Sequence, residues 1–285
     1  MDVAIVGAGL MGTQIACEYA LGGHDVTLIA RDAAAAGRRA ESAFRLVEEH
    51  GLGDGAAARS RLRVTTDPPA SVVCDLAVES VPEDLELKAR LLREVAAASP
   101  EAVLASNTSS IPITALGTAV GAPERVVGTH YLNPPLLMPP VEVVAGERTD
   151  PAVLARVAET LDALGKQPVL VRRDVPGFVW NRLQFALLRE CVWLVDQGVA
   201  STEDVDRVVR DGLARRWRRV GPFAAIGLGG VETWNRAGGN LVPEISTATE
   251  LGDLRRFVAA DEEELERLGA ARDSALAEEL REERD

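Results

Sequence analysis

The sequence predicts an α/β chain: a largely parallel β-sheet covered by helices on both faces, continued by an all-helical segment. Three observations carry that prediction. A short apolar run, Asp2-Val3-Ala4-Ile5-Val6, breaks into Gly7-Ala8-Gly9-Leu10-Met11-Gly12 and then an apolar, helix-like stretch through Leu21. Strand-like and helix-like patterns then alternate as far as Val171, as expected of parallel strands joined by helical crossovers. At Asp174-Val175-Pro176-Gly177 the β-branched runs stop and long helical patterns take over, with the Pro-Gly pair as the boundary.

The glycine-rich turn comes first. In such a strand-to-helix turn the first glycine makes the tight reversal, the second lets backbone approach a pyrophosphate, and the third lets helix and strand pack closely. The phosphates then sit over unpaired N–H groups at the helix N-terminus. A second strand, Val26-Thr27-Leu28-Ile29-Ala30, follows Gly22-Gly23-His24-Asp25, so the unit reads β-α-β within about 30 residues. Gly7, Gly9, Leu10, Met11 and Gly12 are therefore candidate dinucleotide contacts. The second strand ends Ala30-Arg31-Asp32. A NAD site places an acid near this point to bond the ribose hydroxyls, whereas a NADP site offers room and positive charge for the 2'-phosphate. Ala30 can accept nothing, Arg31 can pair with a phosphate, and Asp32 either bends back toward the ribose or caps the next helix. Arg31 and Asp32 are thus both candidate contacts, and the cofactor is read as NAD or NADP.

Residues 33–50 form an Ala/Arg/Glu-rich helical pattern ending at Gly51, and 62–65 a third strand before the Pro68-Pro69 turn. Residues 76–79 are a fourth strand ending in an acid, a helix runs from about Asp84 to Ala98, and 103–106 is another strand. Residues 126–129 and 141–144 are short β-branched runs, with a helix over 151–164 before the run 169–171. Beyond the boundary, helices are expected over 178–197, 202–211 and, in an acidic pattern, 259–283. The stretch 178–195 is apolar on more than one face, which predicts packing against a second subunit and hence a homodimer. Arg182, Arg189 and Glu190 exclude it as a bilayer span.

At 285 residues and 47% apolar the chain can bury a sizeable core and form two domains. A net charge of -13 argues against a general nucleic-acid binder, which needs a concentrated basic surface. The isolated run Arg215-Arg216-Trp217-Arg218-Arg219 reads first as a solvated helix face or interdomain contact, and second as a contact to a cofactor or substrate phosphate. Cys17, Cys74 and Cys191 lie far apart in apolar surroundings, the usage of a reducing, cytoplasmic compartment. No signal peptide is visible, since strand residues begin at position 2. Scattered histidines and cysteines give no metal-ligand spacing.

Three polar clusters fall at predicted strand ends, where open α/β sheets place their ligands: Glu79-Ser80-Val81-Pro82-Glu83, Ser106-Asn107-Thr108-Ser109-Ser110, and His130-Tyr131-Leu132-Asn133-Pro134-Pro135 with Glu142 beyond it. A proline-stiffened loop between His130 and Glu142 can double the chain back and join the two. Oxidising a secondary alcohol requires a base for the hydroxyl proton while hydride leaves the same carbon, and imidazole can take and return that proton. Glu142 would fix the tautomer and stabilise the imidazolium, with Ser109 and Asn181 as donors to the developing oxygen charge. The competing readings are a purely structural His130–Glu142 pair, a Ser109-His130-Glu142 hydrolase, which lacks the G-x-S-x-G elbow, and a catalytically silent dinucleotide-binding protein.

Taken together, Gly7–Gly12, Ser106–Ser110, Gly128-Thr129-His130 with Asn133-Pro134, Val141-Glu142-Val143-Val144, the run Asp174 to Leu183, and Gly221-Pro222-Phe223 resemble the 3-hydroxyacyl-CoA dehydrogenase family. The resemblance implies a Rossmann-like dinucleotide-binding domain over 1–175 and a helical substrate and dimerisation domain over 176–285. It implies hydride transfer between nicotinamide and C3 of an L-3-hydroxyacyl thioester. His130 aligns with the catalytic base, Glu142 with its acidic partner, Ser109 and Asn181 with the groups on the substrate oxygen, and Glu79 and Asn107 with cofactor contacts. Two departures concern selectivity. Ala30-Arg31 stands where the family places its NAD-binding acid, and residues 45–63, where CoA-using members carry serine and lysine, have no lysine but offer Glu48, Glu49 and Asp54 beside Arg59, Arg61 and Arg63. The Asn133-Pro134-Pro135 loop and Asn181 to Ala186 are similar to the branch of L-gulonate 3-dehydrogenase (lambda-crystallin-like) and carnitine dehydrogenase. That similarity implies the alternative of a free polar 3-hydroxy acid, and the Ala/Arg-rich composition is compatible with a bacterial relative acting on a carrier-protein-bound hydroxyacyl group.

Overall fold

The computed structural model describes residues 1–257 and 261–284, arranged as two compact units, Met1–Val179 together with Glu262–Asp285, and Trp180–Asp261. The first unit is built on an eight-stranded sheet in the order β3-β2-β1-β4-β5-β6-β7-β8. Its strands are β1 (Asp2–Val6), β2 (Asp25–Ile29), β3 (Leu62–Thr65), β4 (Leu76–Glu79), β5 (Val103–Ser106), β6 (Val126–Tyr131), β7 (Pro140–Ala145) and β8 (Gln167–Val171). The interleaved helices are α1 (Leu10–Leu21), α2 (Ala33–Glu49), α3 (Gly55–Arg61), α4 (Leu85–Ala98), α5 (Ile113–Val120) and α6 (Pro151–Ala163).

Successive side chains on a strand point to opposite faces, and β1 divides its residues accordingly. Val3 and Ile5 join one core cluster, with Ile15, Cys17 and Tyr19 of α1 and Phe44 and Val47 of α2. Ala4 and Val6 join the other, with Ala89, Leu92 and Val95 of α4 and Ile113 and Leu116 of α5. Both faces are thereby covered, which is why these strands read as continuous apolar runs.

All strand pairs but one are parallel. β6 and β7 are antiparallel, because the short link between them cannot make the helical crossover that a parallel pair requires. α3 and α5 have no counterpart in the sequence reading. α5 is short and holds Gly117, where an added Cβ would lie 3.0 Å from Pro123 Cα, so that glycine serves a close backbone approach.

The second unit holds α7 (Trp180–Asp196), α8 (Thr202–Arg207), α9 (Arg215–Trp217), α10 (Pro222–Gly229) and α11 (Val231–Leu241). The helix expected over 202–211 stops at Arg207 and continues as a π-helical segment, Val208–Ala214. The arginines of the run Arg215–Arg219 are exposed.

The acidic helix α12 (Glu262–Arg284) departs from the expected division at residue 176, because it groups with the sheet unit. Ala277 and Leu280 are buried in the cluster that holds Phe44 and Leu52, and Arg281 donates to the His50 carbonyl at 3.0 Å. The start of that expected helix, residues 259–260, lies outside the described residues.

Candidate active site

The turn between β1 and α1 is squeezed at two glycines and open at the third. A Cβ on Gly7 (φ +111°) would lie 2.5 Å from the Ser80 carbonyl oxygen, and one on Gly12 only 1.9 Å from that of Gly7. One on Gly9 would meet nothing within 4 Å. The Gly9 position therefore presents bare backbone to open space. Aspartates cap α2, α3, α4 and α6 by accepting from Ala35, Ala57, Leu87 and Ala152 N–H groups, whereas α1, capped by Gly9, has no side-chain cap. Leu10, Met11 and Gly12 stand in its first turn, where N–H groups lack helical partners and attract an anion. These features fit the pyrophosphate of a dinucleotide.

Beside this turn, β4 and β5 end in a buried charge network. Glu79 (0% exposed) accepts from Lys88 Nζ at 2.9 Å and 3.2 Å, from Ser106 Oγ at 2.7 Å and from Val81 N–H at 2.6 Å. Lys88 Nζ also lies 3.3 Å from Glu83. Glu83 in turn accepts from Thr108 Oγ1 and from the N–H groups of Ser109 and Ser110. Burial would raise the Glu83 carboxyl, but these hydrogen bonds and the Lys88 ammonium overcome it and hold the group down at about 2. Glu79, a candidate cofactor contact on sequence, is here enclosed, with both oxygens occupied by the protein. Its geometry serves the loop that carries Ser109.

Asn107 is similarly engaged. Its Nδ2 donates to Ser80 Oγ at 3.2 Å and its Oδ1 accepts from Tyr131 N–H at 2.9 Å, which ties the ends of β4 and β6 together. Asp32 accepts from Ala35 N–H at 3.0 Å, the capping alternative, and that bond lowers its carboxyl below the ordinary value. Arg31 is exposed beyond the end of β2.

His130 and Glu142 face each other directly across β6 and β7. His130 Nδ1 lies 2.6 Å from Glu142 Oε2, and the two residues are 5% and 3% exposed. The other carboxylate oxygen accepts from Val179 N–H at 2.8 Å. A carboxylate can only accept, so Nδ1 carries a proton, and in the neutral ring Nε2 bears the lone pair. Phe178 closes one side, its ring edge-on to the imidazole at 5.6 Å. Gly177 and Phe178 adopt positive φ, +77° and +48°. A bulky residue seldom takes that conformation, so Phe178 is strained at the point where the chain presents Val179 N–H to Glu142.

The loop after β6 is pinned from below by Lys166, which donates to the Pro135 carbonyl at 2.7 Å and pairs with Glu18 at 2.9 Å. Ser109 lies in the loop after β5, held by Glu83, and Asn181 lies in the first turn of α7 in the second unit. Lys88, Lys166 and Phe178 were not legible as site residues. The one available signal was that Lys88 and Lys166 are the only two lysines in the sequence. Among the described residues no group of three His, Cys, Asp or Glu is placed to hold a metal, and no helix is long and apolar enough to cross a membrane.

Comparison with known proteins adds a family, two relatives and a solved structure. Residues 2–175 match the family model of the 3-hydroxyacyl-CoA dehydrogenase NAD binding domain, and residues 177–258 that of the C-terminal domain. The chain is 36% identical over 260 residues to 5-formyl-3-hydroxy-2-methylpyridine 4-carboxylate 5-dehydrogenase of Mesorhizobium japonicum, covering 89% of this chain and 84% of that protein. It is 40% identical over 235 residues to L-carnitine dehydrogenase of Streptomyces griseus, covering 81% and 70%. A crystal structure of a 5-formyl-3-hydroxy-2-methylpyridine 4-carboxylic acid 5-dehydrogenase, described as an NAD+-dependent dismutase, superposes with a TM-score of 0.88 at 32% identity over 97% of this chain and 96% of the other.

Proposed function

We propose, from the premise that this chain belongs to the 3-hydroxyacyl-CoA dehydrogenase family and is an NAD(P)-dependent oxidoreductase, that it oxidises the hydroxyl-bearing carbon of a 3-hydroxyacyl compound with His130 as the base. The supporting observation is the buried His130–Glu142 pair, whose geometry keeps the Nδ1–H in place and Nε2 ready to accept a hydroxyl proton. When bound, the nicotinamide supplies the hydride acceptor. Glu142 orients the ring and stabilises the imidazolium, and Phe178 keeps water from that side of the pair. Following the family resemblance, Ser109 and Asn181 donate to the substrate oxygen. The glycine turn, Gly7 to Gly12, holds the pyrophosphate.

On substrate class, the chain's own charges favour a free polar hydroxy acid over a CoA thioester. Of the arginines in the helical hairpin, the three that follow its acidic stretch are engaged at home. Arg59 pairs with Glu41 and Glu48, Arg61 with Asp25, and Arg63 donates to Thr27 Oγ1. The relatives named above act, by their names, on a pyridine carboxylate and on L-carnitine. The thioester and carrier-bound readings are the alternatives.

Two further readings belong to the same proposal. The second unit exposes Leu183, Phe185, Phe223, Leu228 and Leu241, with Phe223 86% exposed, and among its described apolar side chains only Val192, Val205 and Ala225 are buried. Helices with so little covered apolar surface require a partner, and a second copy of the chain supplies one. Free, buried Cys17 and Cys74 suit a reducing cytoplasm.

The test is kinetic. His130→Gln is expected to lower kcat by roughly 10²–10⁴ while leaving dinucleotide affinity unchanged, and near-wild-type turnover would remove His130 as the base. A nicotinamide absorbance assay across free 3-hydroxy acids, acetoacetyl-CoA and a carrier-bound analogue decides the substrate class. Higher kcat/KM on the thioesters would overturn the free-acid reading. A stable monomer in light scattering would dismiss the dimer.

A further inference from the structure

We infer that the ribose end of the dinucleotide site is a receptor for a 2'-phosphate, in which Arg31, supported by Arg38 and Arg39 of α2, selects NADP(H) over NAD(H). The inference rests on the dinucleotide reading of the glycine turn and extends it to the one chemical difference between the two cofactors.

The end of β2 is registered against that turn. Gly7 N–H donates to the Ile29 carbonyl at 3.0 Å, and Ala30 N–H donates to the Thr65 carbonyl at 2.9 Å. Residue 30 therefore stands beside the pyrophosphate turn, at the position from which a side-chain carboxylate reaches a ribose diol. Ala30 offers a methyl group. The nearest carboxylate along the chain and the one just past the neighbouring strand are each engaged by a local hydrogen bond. Asp32 accepts from Ala35 N–H at 3.0 Å as the cap of α2, and Asp67 is closed into its own turn by Thr65 Oγ1 at 2.7 Å. Nothing at this edge is set to accept from two ribose hydroxyls.

What the edge offers is positive charge. Arg31, Arg38 and Arg39 are all exposed. Some arginines elsewhere, at positions 59, 61, 90, 148, 207 and 210, sit on carboxylates within 4 Å. None of the three at this edge forms an ion pair among the described residues, although the chain carries a net charge of -13. Arg39 Nη1 lies 3.4 Å from the Ala8 carbonyl, so its guanidinium spans from α2 to the glycine turn itself. A phosphate monoester carries nearly two negative charges, and a planar guanidinium can meet two of its oxygens at once. A diol gives the same group only neutral acceptors. The cluster consequently distinguishes the two ligands at the group by which they differ.

The test is equilibrium binding. NADPH, NADH, and the fragment probes 2',5'-ADP and 5'-AMP are titrated calorimetrically into wild type, Arg31→Ala and Ala30→Asp. Wild type is expected to bind NADPH at least about tenfold more tightly than NADH, and 2',5'-ADP more tightly than 5'-AMP, from one charge-assisted contact or more. Arg31→Ala should weaken NADPH by roughly 10- to 100-fold with NADH nearly unchanged, and Ala30→Asp should reverse the preference. NADH binding as tight as NADPH in wild type, or an equal loss of both in Arg31→Ala, would overturn the inference while leaving the dinucleotide reading intact. Failure of wild type to bind either dinucleotide would overturn that reading and the inference with it.

Discussion

Replacing Lys88 with methionine leaves a carboxylate sealed inside the sheet without its counter-ion, and the structure gives the size of the effect. Lys88 is 1% exposed and Glu79 0%. The ammonium bonds both Glu79 oxygens and the Val81 carbonyl at 3.1 Å, so no solvent path replaces it. Methionine fills the volume of the aliphatic stem, which limits any cavity cost. Glu79 keeps Ser106 Oγ and Val81 N–H, yet two hydrogen bonds do not neutralise a buried charge. Breaking such a pair from one side costs about 3–5 kcal/mol. For a unit of this size that is a fall in Tm of roughly 6–20 °C. Removing the charge from both sides, in Lys88→Met with Glu79→Gln, should recover most of the loss, because the penalty lies in the unpaired ion. Urea unfolding followed by circular dichroism on the four members of the cycle gives the coupling directly. A Lys88→Met cost below about 1 kcal/mol, or a coupling near zero, would show that the charge is not held in a dry site and would refute the reasoning.

The glycine turn separates folding from binding. Gly9→Ala should fold normally, because its Cβ meets nothing within 4 Å, yet lose about tenfold or more in dinucleotide affinity; unchanged affinity would remove the pyrophosphate from that turn. Gly12→Ala drives a Cβ into the Gly7 carbonyl and should lower Tm before any ligand is added. Asp32→Ala removes a helix cap and should cost about 0.5–2 kcal/mol in urea unfolding with little change in NADH affinity; a large affinity loss would return Asp32 to the ribose. Glu83 titrates at about 2 in the folded chain against an ordinary 4.5, so its stabilisation is complete above pH 4.5 and is lost as pH falls toward 2. The stability gap between wild type and Glu83→Gln should be flat at neutral pH and close on acidification, modestly because the side chain is 37% exposed; a gap that widens in acid would contradict the bonding described.

The order of β1, α1, β2 and the glycine turn is plain along the chain because each rests on local spacing, an apolar strand, a Gly-x-Gly-x-x-Gly break and an apolar helix. The His130–Glu142 proximity was also inferable, since a short proline-bearing loop between two β-branched runs leaves the chain few alternatives to folding back. The engagement of Glu79 was not. Its partners Lys88 and Ser106 come from a helix and a different strand, and an acid at a strand end looks the same whether it faces a ligand or a lysine. Asp32 shows the same limit on a smaller scale, since one carboxylate three residues before an amide can cap a helix or reach a ribose, and only the Ala35 bond in the folded chain separates the two. The acidic pattern of α12 likewise announced a helix without saying which core would take Ala277 and Leu280.

Spacing and residue chemistry were enough to establish that this chain makes a helix-covered sheet with a glycine-rich turn after its first strand and a histidine beside an acid, because those features depend on neighbours a few residues apart. Which charges are spent inside the protein and which remain for a ligand emerged only with the chain folded. Arg59 and Glu79 are consumed by partners that packing brings to them, while Arg31 is left over. A charge is available for binding only when no nearer opposite charge has taken it, and nearness in space is a property that long-range packing confers.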